Sequence, residues 1–171
     1  MNANCHFMYG LATGITISLI TGADMNEAIG LTSSCLIGSL LPDIDMEKST
    51  ISNLLKPISI PIYKLNSLFG ASEERHRGII HDLGLWTLLL ILSLSYFPSW
   101  KGFFIGGLSH LLLDLFNPAG VPFLFIRRIR IGTIKSGSRD SIILTLILSV
   151  LLVTFGILYH FGLVTLPKFI N

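Results

Sequence analysis

The amino-acid sequence predicts an all-α fold, a polytopic helical membrane bundle that forms one integral membrane domain over residues 1–171. Three observations lead to this prediction. Apolar residues make up 51% of the chain and charged residues 13%, whereas about a quarter of an ordinary soluble domain is charged. The mean hydropathy is +0.71, and the apolar residues are concentrated in five segments. We therefore expect about five transmembrane helices in place of a soluble core.

The five apolar segments are joined by short turns and two long loops. The second and fourth segments are shorter than the roughly 20 residues that a helix needs to cross a bilayer. We expect these two to lie inside the bundle or to line a wet cavity with their ends. No basic region precedes the first segment, so we expect a retained helix there and not a signal peptide. The segments comprise residues 4–21, 27–41, 79–97, 101–116 and 141–163.

Lysine and arginine are distributed unevenly between the two ends of the predicted helices. Ten of the twelve fall within residues 42–78 and 117–140, and the other two are Lys101 and Lys168. Because cytoplasmic loops of membrane proteins carry an excess of basic residues, we expect both long loops and the N-terminus to be cytoplasmic. The C-terminus then lies outside.

The two long loops differ in character. Residues 50–69 mix apolar and polar positions around Pro57 and Pro61, which predicts one or two short interfacial helices within the loop 42–78. Residues 121–131 place aromatic residues beside three arginines. Two interpretations of this stretch stay open: an interfacial anchor that faces anionic lipid, or a phosphate-binding lip beside the site.

Small residues recur every four positions in three of the apolar segments, a spacing that lets membrane helices approach closely. Two of these rows continue into ionisable residues. His6 lies four residues before one row, and His110 and Asp114 lie four and eight residues after another. The rows are Gly10-Gly14-Ser18, Gly30-Ser34-Gly38 and Gly102-Gly106.

Histidines and aspartates gather at the predicted cytoplasmic ends of the helices. His110 and Asp114 are four residues apart and therefore share one helix face. Ionisable groups at membrane depth are costly and usually mark a functional site. His160, at the other end of the last segment, is interpreted as an interfacial histidine. The residues that the topology places in one layer are His6, Asp43, Asp45, His76, His81, His110 and Asp114.

This mixture of imidazole and carboxylate groups is typical of a divalent-metal site for one or two ions, with zinc preferred and manganese or iron as alternatives. A cation would also compensate carboxylates placed at the membrane edge. Single residues have simpler alternatives. His6 could cap its helix, Asp43 and Asp45 could begin a loop, and His76 could bind lipid headgroups. Asp82 could either support its histidine neighbour or be solvated.

Four motifs follow one another along the chain: Leu-Pro-Asp-Ile-Asp at 41–45, His-Arg-Gly-x-x-His at 76–81, His-x-x-x-Asp at 110–114 and Asn-Pro-x-Gly-Val at 117–121. This ordered set resembles the YdjM-type family of bacterial inner-membrane proteins. Members of that family are described as LexA-regulated, membrane-bound and predicted to be metal-dependent hydrolases. The resemblance runs from His6 to about Ile131 and implies an inner-membrane location.

The resemblance also implies roles for individual residues. It carries over a metal-binding role for the seven residues of the predicted layer and adds Arg77 beside His76. Catalytic roles fall to Asp43, Asp45, His76 and Arg77. Two positions depart from the family pattern. The family usually has Thr-His-Ser where this chain reads Ile80-His81-Asp82, and it tends to carry a glutamate after the basic loop, where this chain has Asp140.

The function expected from these observations is a metal-dependent hydrolase at the cytoplasmic membrane face, acting on a phosphoester or another headgroup of a lipid-like substrate. Its partners are membrane lipids, and a homo-oligomer is left open. One rival is a transporter or channel for divalent metal or protons. A second rival is a non-catalytic membrane adaptor with a structural metal. Nucleic-acid binding is not expected, because the arginines of the second loop are few and lie against apolar segments.

Overall fold

A computed structural model describes residues 1–46, 49–68 and 78–165. Within these ranges the chain forms α-helices, one β-hairpin and three short 3-10 turns. The helices are α1 (Ala3–Thr21), α2 (Met25–Leu40), α3 (Thr50–Leu54), α4 (Lys56–Leu68), α5 (Leu83–Tyr96), α6 (Lys101–Asp114) and α7 (Arg139–His160). The strands are β1 (Val121–Phe123) and β2 (Arg127–Ile129), and the 3-10 turns are Leu41–Asp45, Ile79–His81 and Pro98–Trp100.

The mostly helical fold is confirmed. Each of the five predicted apolar segments contains one long helix, and two short helices occupy the loop between α2 and α5. Helix α4 continues through Pro61, although a proline inside a helix usually interrupts it. Pro57 lies in the first turn of α4, where a backbone N–H has no partner within the helix, so only Pro61 removes a bond.

The all-α prediction is wrong at one place, where residues 121–129 form an antiparallel hairpin. Val121 pairs with Ile129 and Phe123 pairs with Arg127. The three residues between the strands turn the chain, with Leu124 and Phe125 at positive φ values of 49° and 58°. Strands of three residues are too short to reveal their alternating period in the sequence.

Side-chain caps fix where several helices begin. Asn2 accepts a hydrogen bond from Cys5 N at the start of α1, and Ser138 does the same for Ser141 N at the start of α7. Asp24 and Glu27 form a reciprocal capping box at the start of α2. These contacts satisfy backbone N–H groups that have no partner inside the helix.

Three of the long helices pack through small residues. A Cβ placed on Gly106 of α6 would overlap the backbone carbonyl of Cys35 on α2, and one placed on Gly38 would overlap the carbonyl of Phe103. A Cβ placed on Gly10 of α1 would likewise overlap the side chain of Ser39 on α2. The predicted close approach is therefore present, except at Gly30, where nothing lies within 4 Å. This contact brings the ends of α1, α2 and α6 together.

The distribution of apolar surface suits a membrane protein. Large apolar side chains face outward, including Ile29 (58% exposed), Leu94 (59%) and Val150 (62%), whereas many buried side chains are polar. Among the described helices, α7 alone is both long and apolar enough to cross a membrane by length and composition. Helix α5 is apolar but shorter, at 14 residues, or about 21 Å.

Candidate metal centre

Four chain segments meet at one end of the bundle. The first turns of α1 contribute His6, and the 3-10 turn after α2 contributes Asp43 and Asp45. The 3-10 turn before α5 contributes His81, and the last turns of α6 contribute His110 and Asp114. All six side chains are buried. The structure thus brings together six of the seven residues predicted from sequence as metal ligands.

Three imidazoles and two carboxylates form the inner part of this cluster. Asp43 Oδ1 lies 3.6 Å from His81 Nε2 and 3.6 Å from His110 Nε2. Asp114 lies 3.6 Å from His6 Nε2 through Oδ1 and 3.6 Å from His110 Nε2 through Oδ2. The amino group of Met1 also donates to Asp114. Because ligands of one ion at about 2.1 Å lie at most about 4.2 Å apart, these spacings fit a shared cation.

The hydrogen-bonding state of the histidines provides a test of that fit. In the described part of the chain, Nε2 of His6, His81 and His110 is buried and has no hydrogen-bond partner, and the same is true of His6 Nδ1. Buried polar atoms without partners are uncommon, and each requires an explanation. Three such nitrogens directed at two carboxylates are a donor set for a divalent ion. These residues form two buried trios that could each hold an ion, His6-Asp43-His110 and His81-His110-Asp114.

Neighbouring groups hold two of these rings in position. His110 Nδ1 lies 2.7 Å from the Ser39 carbonyl, so Nδ1 is the donor and Nε2 presents its lone pair. His81 Nδ1 lies 3.2 Å from Asp45 Oδ2, which also accepts from Gly78 N. Partners of this kind fix the tautomer of metal-binding histidines and raise their basicity. Asp45 therefore stands behind His81, on the far side of the ring from Asp43.

The ionisable side chains of the two 3-10 turns shift one another's pKa. Burial lowers the pKa of His81, but the carboxylates of Asp45 and Asp43 outweigh burial and raise that pKa to about 9. Burial acts to raise the pKa of Asp43, yet His110, His81 and His6 hold it well below its usual range. Asp43 is thus a carboxylate at neutral pH, as a metal ligand must be.

Asp82 has a role that sequence reasoning left undecided. Its buried carboxylate accepts hydrogen bonds from Leu85 N, Leu124 N and Phe125 N. The first bond caps α5, and the other two hold the turn of the hairpin. The signal available in the sequence was an aspartate immediately before a helical segment, a typical cap. The long-range bonds to the hairpin had no sequence signal.

The hairpin beside this cluster presents both apolar and basic groups. Leu124, Phe125 and Ile126 are 49%, 63% and 85% exposed at its turn. Arg128 donates to the Ala119 carbonyl and Arg130 to the Pro118 carbonyl. An exposed apolar tip with adjacent arginines suits an anchor at the membrane interface, the first of the two interpretations of residues 121–131.

The remaining predicted residues fall elsewhere. His76 and Arg77 lie outside the described residues, so their predicted roles stay predictions. Asn117 accepts from Ala119 N in the turn after α6, and Gly120 in that turn has a φ of 63°. His160 lies at the opposite end of the bundle, where Nδ1 is 3.1 Å from the Leu19 carbonyl.

Comparisons with known proteins point in one direction. Residues 1–166 match the profile of a family described as YdjM inner membrane protein. The chain is 32% identical over 139 residues to the inner membrane protein YdjM of Escherichia coli K12 and, equally, to that of Shigella flexneri. The match covers 73% of this chain and 65% of those relatives, so the chain spans just under two thirds of their length.

A third relative is more distant but covers more of both chains. The uncharacterized protein YvsG of Bacillus subtilis strain 168 is 28% identical over 144 residues, which is 81% of this chain and 83% of that protein. No solved structure shows a significant match.

Proposed function

The chain belongs to the YdjM family of inner membrane proteins, and from that premise we propose that it is a metal-dependent hydrolase. Its site lies at the cytoplasmic face of the bacterial inner membrane. Its substrate is a lipid-like molecule, cleaved at a phosphoester or another headgroup bond.

One observation carries the proposal: three buried Nε2 atoms without hydrogen-bond partners face two buried carboxylates. In a protein that used these residues only for packing, each of these nitrogens would face a carboxylate oxygen at 3.6 Å without a hydrogen bond, and a missing hydrogen bond costs a buried polar group about 1–3 kcal/mol. The five residues that would hold one or two divalent ions, zinc by preference, are His6, Asp43, His81, His110 and Asp114.

A divalent ion in such a site supplies a Lewis acid that polarises the scissile group and lowers the pKa of a water molecule. The protein supplies the rest. Asp45 and the Ser39 carbonyl orient His81 and His110 through Nδ1. Burial of the cluster excludes bulk water and strengthens its electrostatic interactions. Arg77 would hold a phosphate through its planar guanidinium group.

The proposed membrane arrangement follows from helix direction and basic residues. The long helices alternate in direction along the chain, and the cluster lies where α1 and α5 begin and α2 and α6 end. We assign all five long helices to the membrane, with the N-terminus and the site in the cytoplasm and the C-terminus outside, because the two basic loops connect helix ends that lie at the site. A site at headgroup level is placed to meet lipid.

The test is hydrolysis by the full chain, purified in detergent and assayed with zinc, manganese or iron on a panel of lipid phosphates and acyl lipids. We expect release of a headgroup or of inorganic phosphate. Asp43→Asn and Asp114→Asn should lower the rate at least about 100-fold, since each removes a charged ligand. His160→Ala, at the other end of the bundle, should retain activity.

Other outcomes would replace the proposal. A protein that holds no metal and hydrolyses none of the panel is not this enzyme. Metal flux into proteoliposomes that disappears in Asp114→Asn would indicate a transporter. Bound metal whose loss lowers only the thermal stability would indicate a structural metal in an adaptor.

A further inference from the structure

A cleft adjoins the candidate metal centre between the start of α1, the end of α2 and helix α3. Its volume is about 500 Å³, within the range of roughly 300–1,000 Å³ that is usual for small-molecule sites. Part of its lining is polar, from Asn2, Asn4 and Ser49. The cleft therefore has the size of a ligand site and lies beside the chemistry proposed above.

Asp43 connects the cleft to the metal centre. It is the one residue of the five clustered side chains that lines the cleft. It is also the most accessible of them, at 8% exposure, whereas His6, His81 and His110 are at 0%. A molecule in the cleft would thus meet the cluster through Asp43, with its reacting group at that end.

The other walls of the cleft are apolar. They are formed by Phe7, Leu40, Met46, Ile51 and Leu54. Phe7 is 43% exposed and Leu54 is 76% exposed, so the cleft has apolar lips. Phe7 lies about one helical turn, or roughly 6 Å, further along α1 than the start of that helix. In an inner membrane protein such lips face the edge of the lipid phase, since large apolar side chains at an aqueous opening are unfavourable.

We propose that this cleft binds the alkyl chain of an amphiphilic phosphate ester, with the phosphate directed toward Asp43 and the chain lying between Phe7 and Leu54. This inference rests on the proposed function and names its substrate class. At the inner end, Asp43 and its histidine neighbours would hold a divalent cation, and that cation would attract the phosphate. The apolar side chains at the lips match the alkyl chain at the other end of the amphiphile. A water-soluble phosphate would leave the apolar walls unused.

The test measures binding of butyl, hexyl and octyl phosphate to the full chain in amphipol, with and without zinc. Each buried methylene contributes about 0.8 kcal/mol, or up to fourfold in affinity. We expect affinity to rise about threefold per methylene from butyl to octyl phosphate. Leu54→Gln and Phe7→Gln should lower octyl phosphate affinity about fivefold and leave butyl phosphate affinity unchanged.

The control is Ile58→Gln. Ile58 is 54% exposed on α4 and does not line the cleft. This variant controls for partitioning of the ligand's alkyl chain into the amphipol. Its affinity for octyl phosphate should equal that of the unmodified protein. Because Leu54 and Ile58 are both largely exposed, neither change should prevent folding.

The outcomes separate this inference from the proposed function. If affinity depends on the length of the alkyl chain and Leu54→Gln weakens that dependence, the result supports the cleft, even if no lipid phosphate is hydrolysed. Hydrolysis of phosphoesters with rates and affinities that do not depend on alkyl-chain length would support the proposed function and overturn the proposal that the cleft binds the alkyl chain. Equal weakening of octyl phosphate binding by Ile58→Gln and Leu54→Gln would also overturn it.

Discussion

The imidazole rings of His6 and His110 lie face to face, with centroids 3.5 Å apart and an interplanar angle of 10°. Their Nε2 atoms share one carboxylate, since each lies 3.6 Å from an oxygen of Asp114. Two imidazolium ions would repel each other at this distance, whereas two neutral rings can present both lone pairs to one cation. The stacked pair therefore joins α1 and α6 in a way that favours a bound metal.

The first prediction concerns metal content. His110→Ala and Asp43→Ala should each reduce the metal that copurifies with the protein to a small fraction, because each removes a ligand of a shared site. Elemental analysis of the detergent-purified variants measures this directly. His160→Ala is the matched control and should retain the full content. Retention of metal by either His110→Ala or Asp43→Ala would show that the two segments do not share a site.

The second prediction concerns Asp45, which bonds to Nδ1 of His81. Asp45→Asn keeps the shape of the side chain and removes its charge, so His81 becomes a weaker ligand. We expect metal affinity to fall about 10- to 100-fold, less than in Asp43→Ala. A competition titration with a chelator gives the ratio. An Asp45→Asn effect as large as that of Asp43→Ala would place Asp45 among the direct ligands.

The third prediction concerns pH. The pKa of His81 is raised to about 9 in the metal-free protein, so at pH 7 a metal must displace a proton from this ring. Apparent metal affinity should therefore rise with pH, by up to about tenfold per unit between pH 7 and 9, and level off above that range. In His81→Gln the remaining affinity should lose this dependence. A flat profile in the unmodified protein would contradict the prediction.

The fourth prediction concerns helix packing. Gly106→Ala should destabilise the protein by about 1–3 kcal/mol. The added Cβ would overlap the Cys35 carbonyl and push α2 away from α6. Thermal unfolding in detergent measures the change. Gly30→Ala is the control on α2, where nothing lies within 4 Å, and should change stability by less than about 0.5 kcal/mol. Similar stabilities of the two variants would refute the close contact.

The fifth prediction concerns Asp82, whose carboxylate caps α5 and holds the hairpin turn. Asp82→Ala should cost roughly 1–3 kcal/mol, from a lost cap and the loss of two hydrogen bonds to the backbone of the hairpin turn. It should also speed tryptic cleavage after Arg127 and Arg128. Asp24→Ala removes a cap at the other end of the bundle and should cost only about 1 kcal/mol. Unchanged cleavage in Asp82→Ala would mean that the hairpin is held by other contacts.

The sequence predicted most of the site because its residues lie at the ends of apolar helices. His110 and Asp114 share a helix face by spacing alone, and Asp43 directly follows a helix that ends at a proline motif. Basic residues then indicated that all of these ends lie on one side. The second row of small residues predicted the contact at Gly38, but it also included Gly30, which faces open space. Spacing identifies a helix face without saying how far along the helix its neighbour extends.

Composition and residue order by themselves determined that this is a helical membrane protein with a layer of histidines and aspartates at one end. The length of each apolar segment and the distribution of basic residues between the loops can be read directly from the sequence. Tertiary structure decided what those properties leave open. It placed Asp45 behind His81 and Asp43 in front of it, stacked His6 on His110, and used Asp82 to hold a hairpin that the pattern did not reveal. Distances between segments far apart in sequence depend on how the helices pack, and that packing is a property of the whole chain.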